Sequence, residues 1–202
     1  MFFKKRLQVG TDIQHIAFDI FGNDTSVLQS RTFSVDTEFP VLTQFAQNAE
    51  CDYFVSGEFH NISFKMYFPL KVYQTERDRK ISHWAFLGSC IVLRSDDLCI
   101  RNTYAMSGKP YHQPNDELWQ KNGKTRGATI WSEGQNLSPD EYRKVEALIE
   151  WVDNEFCALW STRHAIQVQD GCITIAFWEP DLYDPESQMK LFAEAMMRFR
   201  LS

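Results

Sequence analysis

Apolar positions along the chain follow two periodicities, and the change from one to the other marks its best-defined stretch. Val145, Leu148, Ile149, Val152, Phe156 and Leu159 recur at three- and four-residue steps. That spacing gathers side chains on one face of an α-helix. Ile166 and Val168 then alternate with polar residues, and Ile173, Ile175 and Phe177 do so again after Asp170-Gly171. Alternation predicts strands, and Asp-Gly supplies the tight turn between them. The helix has its own start signal. Ser138-Pro139-Asp140-Glu141 is a capping box with proline at the first helical position, and Leu137 and Tyr142 stand where a hydrophobic staple would.

The same reading extends over the rest of the chain. Ile13, Ile16, Ala17, Ile20 and Phe21 predict a short amphipathic helix over Asp12 to Phe21, ended by Gly22-Asn23-Asp24. Val27 to Val35 reads as a strand, and Asp36 or Thr37 caps a second helix through Ala46. Asp52 to Phe59 and Ile62 to Tyr73 read as strands joined at His60-Asn61. Pro69 lacks a backbone N–H, so its strand is expected at an edge or bulged there. Glu76 to Lys80 is a charged turn, and Trp84 to Leu93 is apolar nearly throughout, as in a central strand buried on both faces. Leu98 to Met106 is a further strand, and Asp184-Pro185-Glu186 opens a last helix bearing Leu191, Phe192, Ala195, Met196 and Phe199. The segment from Ser107 to Gln135 differs. It is rich in glycine, proline and polar residues and predicts a long polar excursion with one short strand near Thr129.

These elements make an α+β fold. It is expected to be a single domain over residues 1–202, with a mainly antiparallel sheet of six to eight strands, three or four helices on one side, and the excursion at 107–135. Composition narrows the function. The formal net charge is −6, which argues against a nucleic-acid partner, because such binding needs a basic footprint. No apolar run approaches the roughly 18 residues of a membrane helix, and no membrane span is expected. The odd count of five cysteines, with no C-x-x-C and no signal peptide, points to a reducing, cytoplasmic setting with buried thiols.

Candidate chemistry is sparse. Gly123-Lys124-Thr125 imitates the end of a phosphate-binding loop, but the required first glycine is Leu118 and no helix follows. No G-x-S-x-G elbow supports a serine hydrolase. Cys90, Cys157 and Cys172 read as small hydrophobes within elements rather than as activated thiolates. His112, Asp116 and Glu117 lie close in sequence and form a candidate metal set, and the carboxylates of Glu179, Asp181 and Asp184 are close enough to bind a cation or act as an acid–base pair. Glu179, Asp181 and Asp184 cluster before the last helix, where Asp184 suits a cap. Trp119 and Trp131 flank the excursion, and with His112 they are the candidate ligand-binding residues.

Two stretches together carry a resemblance. Val55-Ser56-Gly57-Glu58-Phe59-His60-Asn61-Ile62-Ser63-Phe64 is followed by Trp84-Ala85-Phe86-Leu87-Gly88-Ser89-Cys90-Ile91-Val92-Leu93. Asp170-Gly171-Cys172-Ile173-Thr174-Ile175-Ala176-Phe177 and Glu179-Pro180-Asp181-Leu182 come near the end. This order resembles an uncharacterised bacterial α+β family known only as a domain of unknown function. Its members often hang from a membrane anchor on the cytosolic side. The resemblance implies a fold and a cytosolic setting, and carries no catalytic residue. The chain departs from the family in lacking an anchor and in having the polar excursion. The expectation is a binding or protein-interaction module without catalytic activity or cofactor. It would take an unknown protein or small-molecule partner or form a homo-oligomer. The alternative is a metal-assisted hydrolase using His112, Asp116 and Glu117 with the acidic cluster near Glu179.

Overall fold

The computed structural model describes residues 2–34, 48–75, 82–94, 100–107, 118–156, 163–178 and 184–199. In chain order its elements are α1 (Phe2–Phe21), β1 (Ser26–Ser34), β2 (Asn48–Phe59), β3 (Ile62–Thr75), β4 (Ser82–Arg94), β5 (Thr103–Ser107), β6 (Trp119–Thr125) and β7 (Ala128–Glu133). They continue with α2 (Pro139–Glu155), β8 (Arg163–Gln169), β9 (Cys172–Trp178) and α3 (Pro185–Arg198). The strands form one sheet in the order β1-β2-β3-β4-β9-β8-β5-β7-β6. All of its pairings are antiparallel. The first four strands run as a meander. The β8–β9 hairpin then enters between β4 and β5, so the sheet is closed up only when the C-terminal part of the chain arrives.

Register explains how the two periodicities build the core. One row crosses the whole sheet as Val27, Val55, Met66, Ile91, Ile175, Ile166, Ala105, Ile130 and Gly123. It belongs to the cluster that also holds Ile13 and Ala17 of α1, Leu148, Ile149 and Val152 of α2, and Met189, Phe192 and Met196 of α3. All three described helices therefore lie on one side of the sheet. The next row has opposite side-chain direction, because successive residues of a strand point to opposite faces. It runs Leu28, Phe54, Tyr67, Cys90, Ala176, Ala165, Met106, Thr129 and Lys124. Tyr67, Cys90, Met106, Trp131, Ala165 and Ala176 are buried in a second cluster there.

Local signals account for most boundaries. Ser138 caps α2 by accepting from the Glu141 N–H, and the Glu141 side chain returns the bond to the Ser138 N–H. Asp184 caps α3 by accepting from the Ser187 N–H at 2.8 Å. His60 and Asn61 turn the β2–β3 hairpin with φ of 50° and 63°, and Asp170 and Gly171 turn β8–β9 with 50° and 75°. These left-handed angles are what a two-residue hairpin loop matched to strand twist demands. Pro69 sits inside the sheet, between β2 and β4, and the missing donor is accommodated by a register shift between Tyr67 and Leu70.

Three expectations are corrected. The described residues alone hold nine strands, more than six to eight. The extra strand is β6, which pairs with β7 across Arg126-Gly127 where a loop was expected. An edge strand with one wet side needs no alternating apolar pattern, so Gln120 to Thr125 gave none. The first helix starts at Phe2 rather than Asp12. The helix expected after Asp36 and the turn at Glu76 to Lys80 lie outside the described residues.

Candidate functional site

The segment that looked unstructured builds an open groove at the start of α2. β6 bulges at Asn122, where the register shifts between Lys121 and Gly123. The bulge turns Asn122 towards the chain that enters α2. Its amide donates to the Gln120 carbonyl at 2.9 Å and to Ser132 Oγ at 2.7 Å, and its oxygen accepts from the Leu137 N–H at 2.6 Å. With every polar atom of Asn122 engaged, the groove wall is fixed. Lys121, Asn122, Asn136, Leu137, Pro139 and Tyr142 line a space of about 370 Å³. Gly123 has φ of 130°, and a Cβ there would lie 3.7 Å from the Tyr142 hydroxyl. That is ordinary van der Waals contact, so it is the positive φ and not the space that favours glycine at this position. Below the groove, Glu141 accepts from Arg101 Nε at 2.8 Å. That hydrogen bond holds the Glu141 carboxyl down to about 2, with the capping contacts to Ser138 adding to it and burial opposing.

The other end of α2 closes over a buried polar group. Ser107 ends β5, and His164 lies on the neighbouring strand β8. Ser107 Oγ stands 3.0 Å from His164 Nδ1, accepts from the His164 N–H at 3.0 Å, and lies 3.2 Å from the His164 carbonyl oxygen. His164 Nε2 faces Asp153 Oδ1 of α2 at 3.6 Å. A serine, a histidine and a carboxylate are the parts of a hydrolase triad. Here they are poorly poised for it. The serine proton has two competing acceptors, the ring nitrogen and the carbonyl. The acid contact is too long for a hydrogen bond. Burial pushes the His164 ring down to about 4, and a base that weak takes a serine proton badly at neutral pH. Proximity suggests an ion pair with Asp153, but the ring is uncharged at neutral pH, and we read the contact as a packed polar one. The Asp153 carboxyl is itself raised by burial, with Arg126 pulling it down and Glu150 pushing it up.

The tryptophans meet on the far side of the sheet. Trp131 is buried and pairs with Tyr104, ring centroids 5.5 Å apart. Trp119 is half-buried against the same cluster. Gln167 lies nearby, opposite Tyr104. Its Oε1 finds no hydrogen-bond partner among the described residues. The two indoles thus come together, behind the groove rather than in it. His112, Asp116, Glu117, Glu179 and Asp181 lie outside the described residues. Among the described residues, no group of three or more His, Cys, Asp and Glu could hold a metal ion, and no helix is long and apolar enough to cross a membrane. Sequence reading missed the Ser107–His164–Asp153 group. Its members are brought together by β5–β8 pairing and α2 packing, and no local pattern encodes that.

These features define an α+β protein built on a wide antiparallel sheet with its described helices on one side. No family model and no curated protein matches the chain. Its fold is similar to that of the mycobacterial trehalose monomycolate transport factor A, TtfA, in a crystal structure. The TM-score is 0.54 at 8% identity, over 95% of this chain and 96% of that one. At that identity the likeness concerns the fold alone.

Proposed function

We propose that this chain is a non-catalytic binding module whose binding surface is the groove between β6 and the start of α2. One observation carries the reading: a rigidly walled, open space of about 370 Å³ that mixes the apolar Leu137, Pro139 and Tyr142 with the polar Lys121, Asn122 and Asn136. Pockets of that size with that mixture suit small ligands or a short peptide segment. Tyr142, Leu137 and Pro139 offer apolar contact, while the Asn136 amide offers a hydrogen bond to a carboxylate or hydroxyl group. The buried, base-poor Ser107–His164–Asp153 group supports the non-catalytic side of the reading. So does the similarity in fold, over nearly the whole chain, to a protein described as a transport factor. The role needs no cofactor and suits the cytosol, in keeping with the buried thiols of Cys51 and Cys90.

Protein-observed NMR with a fragment set of small carboxylates, sugars and short acidic peptides tests the proposal. Binding should shift the amides of Lys121, Asn136 and Tyr142 first. Tyr142→Ala should abolish it while changing stability by only about 1 kcal/mol, as expected of a half-buried ring. The absence of any binder at the groove would overturn the reading, as would ester hydrolysis lost in Ser107→Ala.

A further inference from the structure

The two ends of the sheet are protected very differently. β6 is seven residues long, carries Lys121 and Lys124, and is broken by the Asn122 bulge. Charges, bulges and shortness are the usual devices that keep a sheet edge from pairing with another chain. β1 has neither a bulge nor shortness, and it has a single charge. It is nine residues long, Ser-Val-Leu-Gln-Ser-Arg-Thr-Phe-Ser, with Arg31 its one charge, and it pairs with β2 without a register shift. Among the described residues no strand pairs with its outer edge. Leu28 is 44% exposed there, one of three large apolar residues so exposed among the described residues.

We propose that a second copy of this chain pairs with the outer edge of β1, antiparallel and centred on Ser30, so that the two sheets become one across a two-fold axis. The sequence of the strand is self-complementary about that centre. Ser26 falls opposite the partner's Ser34, Val27 opposite the partner's Phe33, Leu28 opposite the partner's Thr32 and Gln29 opposite the partner's Arg31. Apolar meets apolar or β-branched, and the one cation meets an amide. A two-fold axis between antiparallel strands must pass through a residue pair, which leaves few other registers. Centring on Arg31 sets two guanidiniums against each other, and like charges directly opposite are destabilising. Centring on Gln29 leaves Phe33 and Ser34 unpaired and puts Arg31 against Val27. Only the Ser30 register uses the full strand without a charge conflict. Residues directly opposite share a face, so the helices of both copies stay on the same side. Main-chain bonds supply the affinity, as in other cases of strand addition to an open edge.

The proposal rests on the sheet edge and not on the groove, so each can fail alone. Light scattering and sedimentation should show twice the monomer mass for the full chain. Ser30→Lys, which sets two ammonium groups face to face on the axis, should raise the dimer Kd by at least about tenfold. Ser30→Cys should form an intermolecular disulfide under mild oxidation, because its Cα lies about 5 Å from its mate. Thr32→Cys should not, being about 13 Å from its mate. Wild-type chain provides the background for the native cysteines. Any of three results overturns the proposal: a monomeric wild type, an undiminished dimer in a folded Ser30→Lys variant, or equal cross-linking at positions 30 and 32. If Ser30→Lys does not fold, the two cysteine variants decide the question.

Discussion

The two ends of α2 carry the same kinds of side chain in opposite environments. At the first turn, Glu141 is kept ionised by Arg101, its carboxyl drawn down to about 2, beside an open groove. At the last turn, burial raises the Asp153 carboxyl and lowers the His164 ring to about 4. The first end is wet and has a charge partner in place. The second is dry, and burial there works against the charged form of both groups. A buried Ser-His-Asp set invites a catalytic reading and an open groove does not, but the electrostatics favour the groove. Near the groove the charge is kept and paired with Arg101, whereas in the dry group Asp153 Oδ1 and His164 Nε2 stand 3.6 Å apart with no hydrogen bond between them.

The contrast depends on one rigid helix joining the two ends. Leu148 and Ile149 are fully buried midway along α2. Leu148→Ala should cost about 3 kcal/mol, the usual range for such truncations being 2–5. In denaturant titrations followed by tryptophan fluorescence and by exchange of the His164 and Glu141 amides, both ends should lose protection together. If only one end loosens, α2 is not the common support.

The dry end has a pH signature of its own. An ordinary imidazole titrates near 6.5 and the folded His164 near 4. As pH falls through 6.5 the unfolded chain takes up a proton that the folded chain refuses, so stability declines from there to about pH 4 and no further. The full loss is on the order of 3 kcal/mol. Asp153 returns part of it, because its raised carboxyl protonates sooner in the folded state. Urea midpoints measured across this window should slope in the wild type and flatten in His164→Gln, which keeps a polar group facing Ser107. An unchanged slope in the variant would place the titration elsewhere.

How much of this the sequence showed depends on distance along the chain. The Ser138 cap, the Asp184 cap and the turns at His60-Asn61 and Asp170-Gly171 were legible because each is decided within a few residues. The β6–β7 hairpin was not. Its turn places Arg126 at φ 46°, an angle usually given to asparagine, aspartate or glycine, and its outer strand has no apolar alternation. The groove was half legible. The excursion holds the candidate ligand-binding residues, yet Asn136, Leu137, Pro139 and Tyr142 of the groove belong to the start of α2, whose local pattern signals a cap and a staple and no site. Ser107 and His164 stand 57 positions apart, and only the insertion of β8–β9 between β4 and β5 makes them neighbours. Trp119 and Trp131 flank the excursion in sequence as candidate ligand-binding residues, and strand pairing turns them to the far cluster.

At the wet end, Ser138→Ala removes the acceptor for the Glu141 N–H and should cost about 1 kcal/mol, read as a lower thermal midpoint. Groove binding should weaken with it if the cap orients Pro139 and Tyr142. A variant with full affinity and lowered stability would separate the cap from the groove.

Arg101→Ala gives the smallest effect and the sharpest test of the wet end. The Arg101 and Glu141 side chains are 28% and 17% exposed, so solvent screens the pair and its loss should cost less than about 1 kcal/mol at neutral pH. The sign with pH is opposite in origin to a raised group. A carboxyl whose folded pKa is depressed stabilises the fold above its unfolded value of 4.5, and that contribution disappears as pH falls towards 2. The melting curves of wild type and variant should therefore be separated above pH 4.5 and merge near pH 2. The His164 slope above that window should be the same in both proteins, since Arg101 sits at the opposite end of α2. If Arg101→Ala changes that slope as well, the two ends are coupled, and the division between an available charge and a sealed one does not hold.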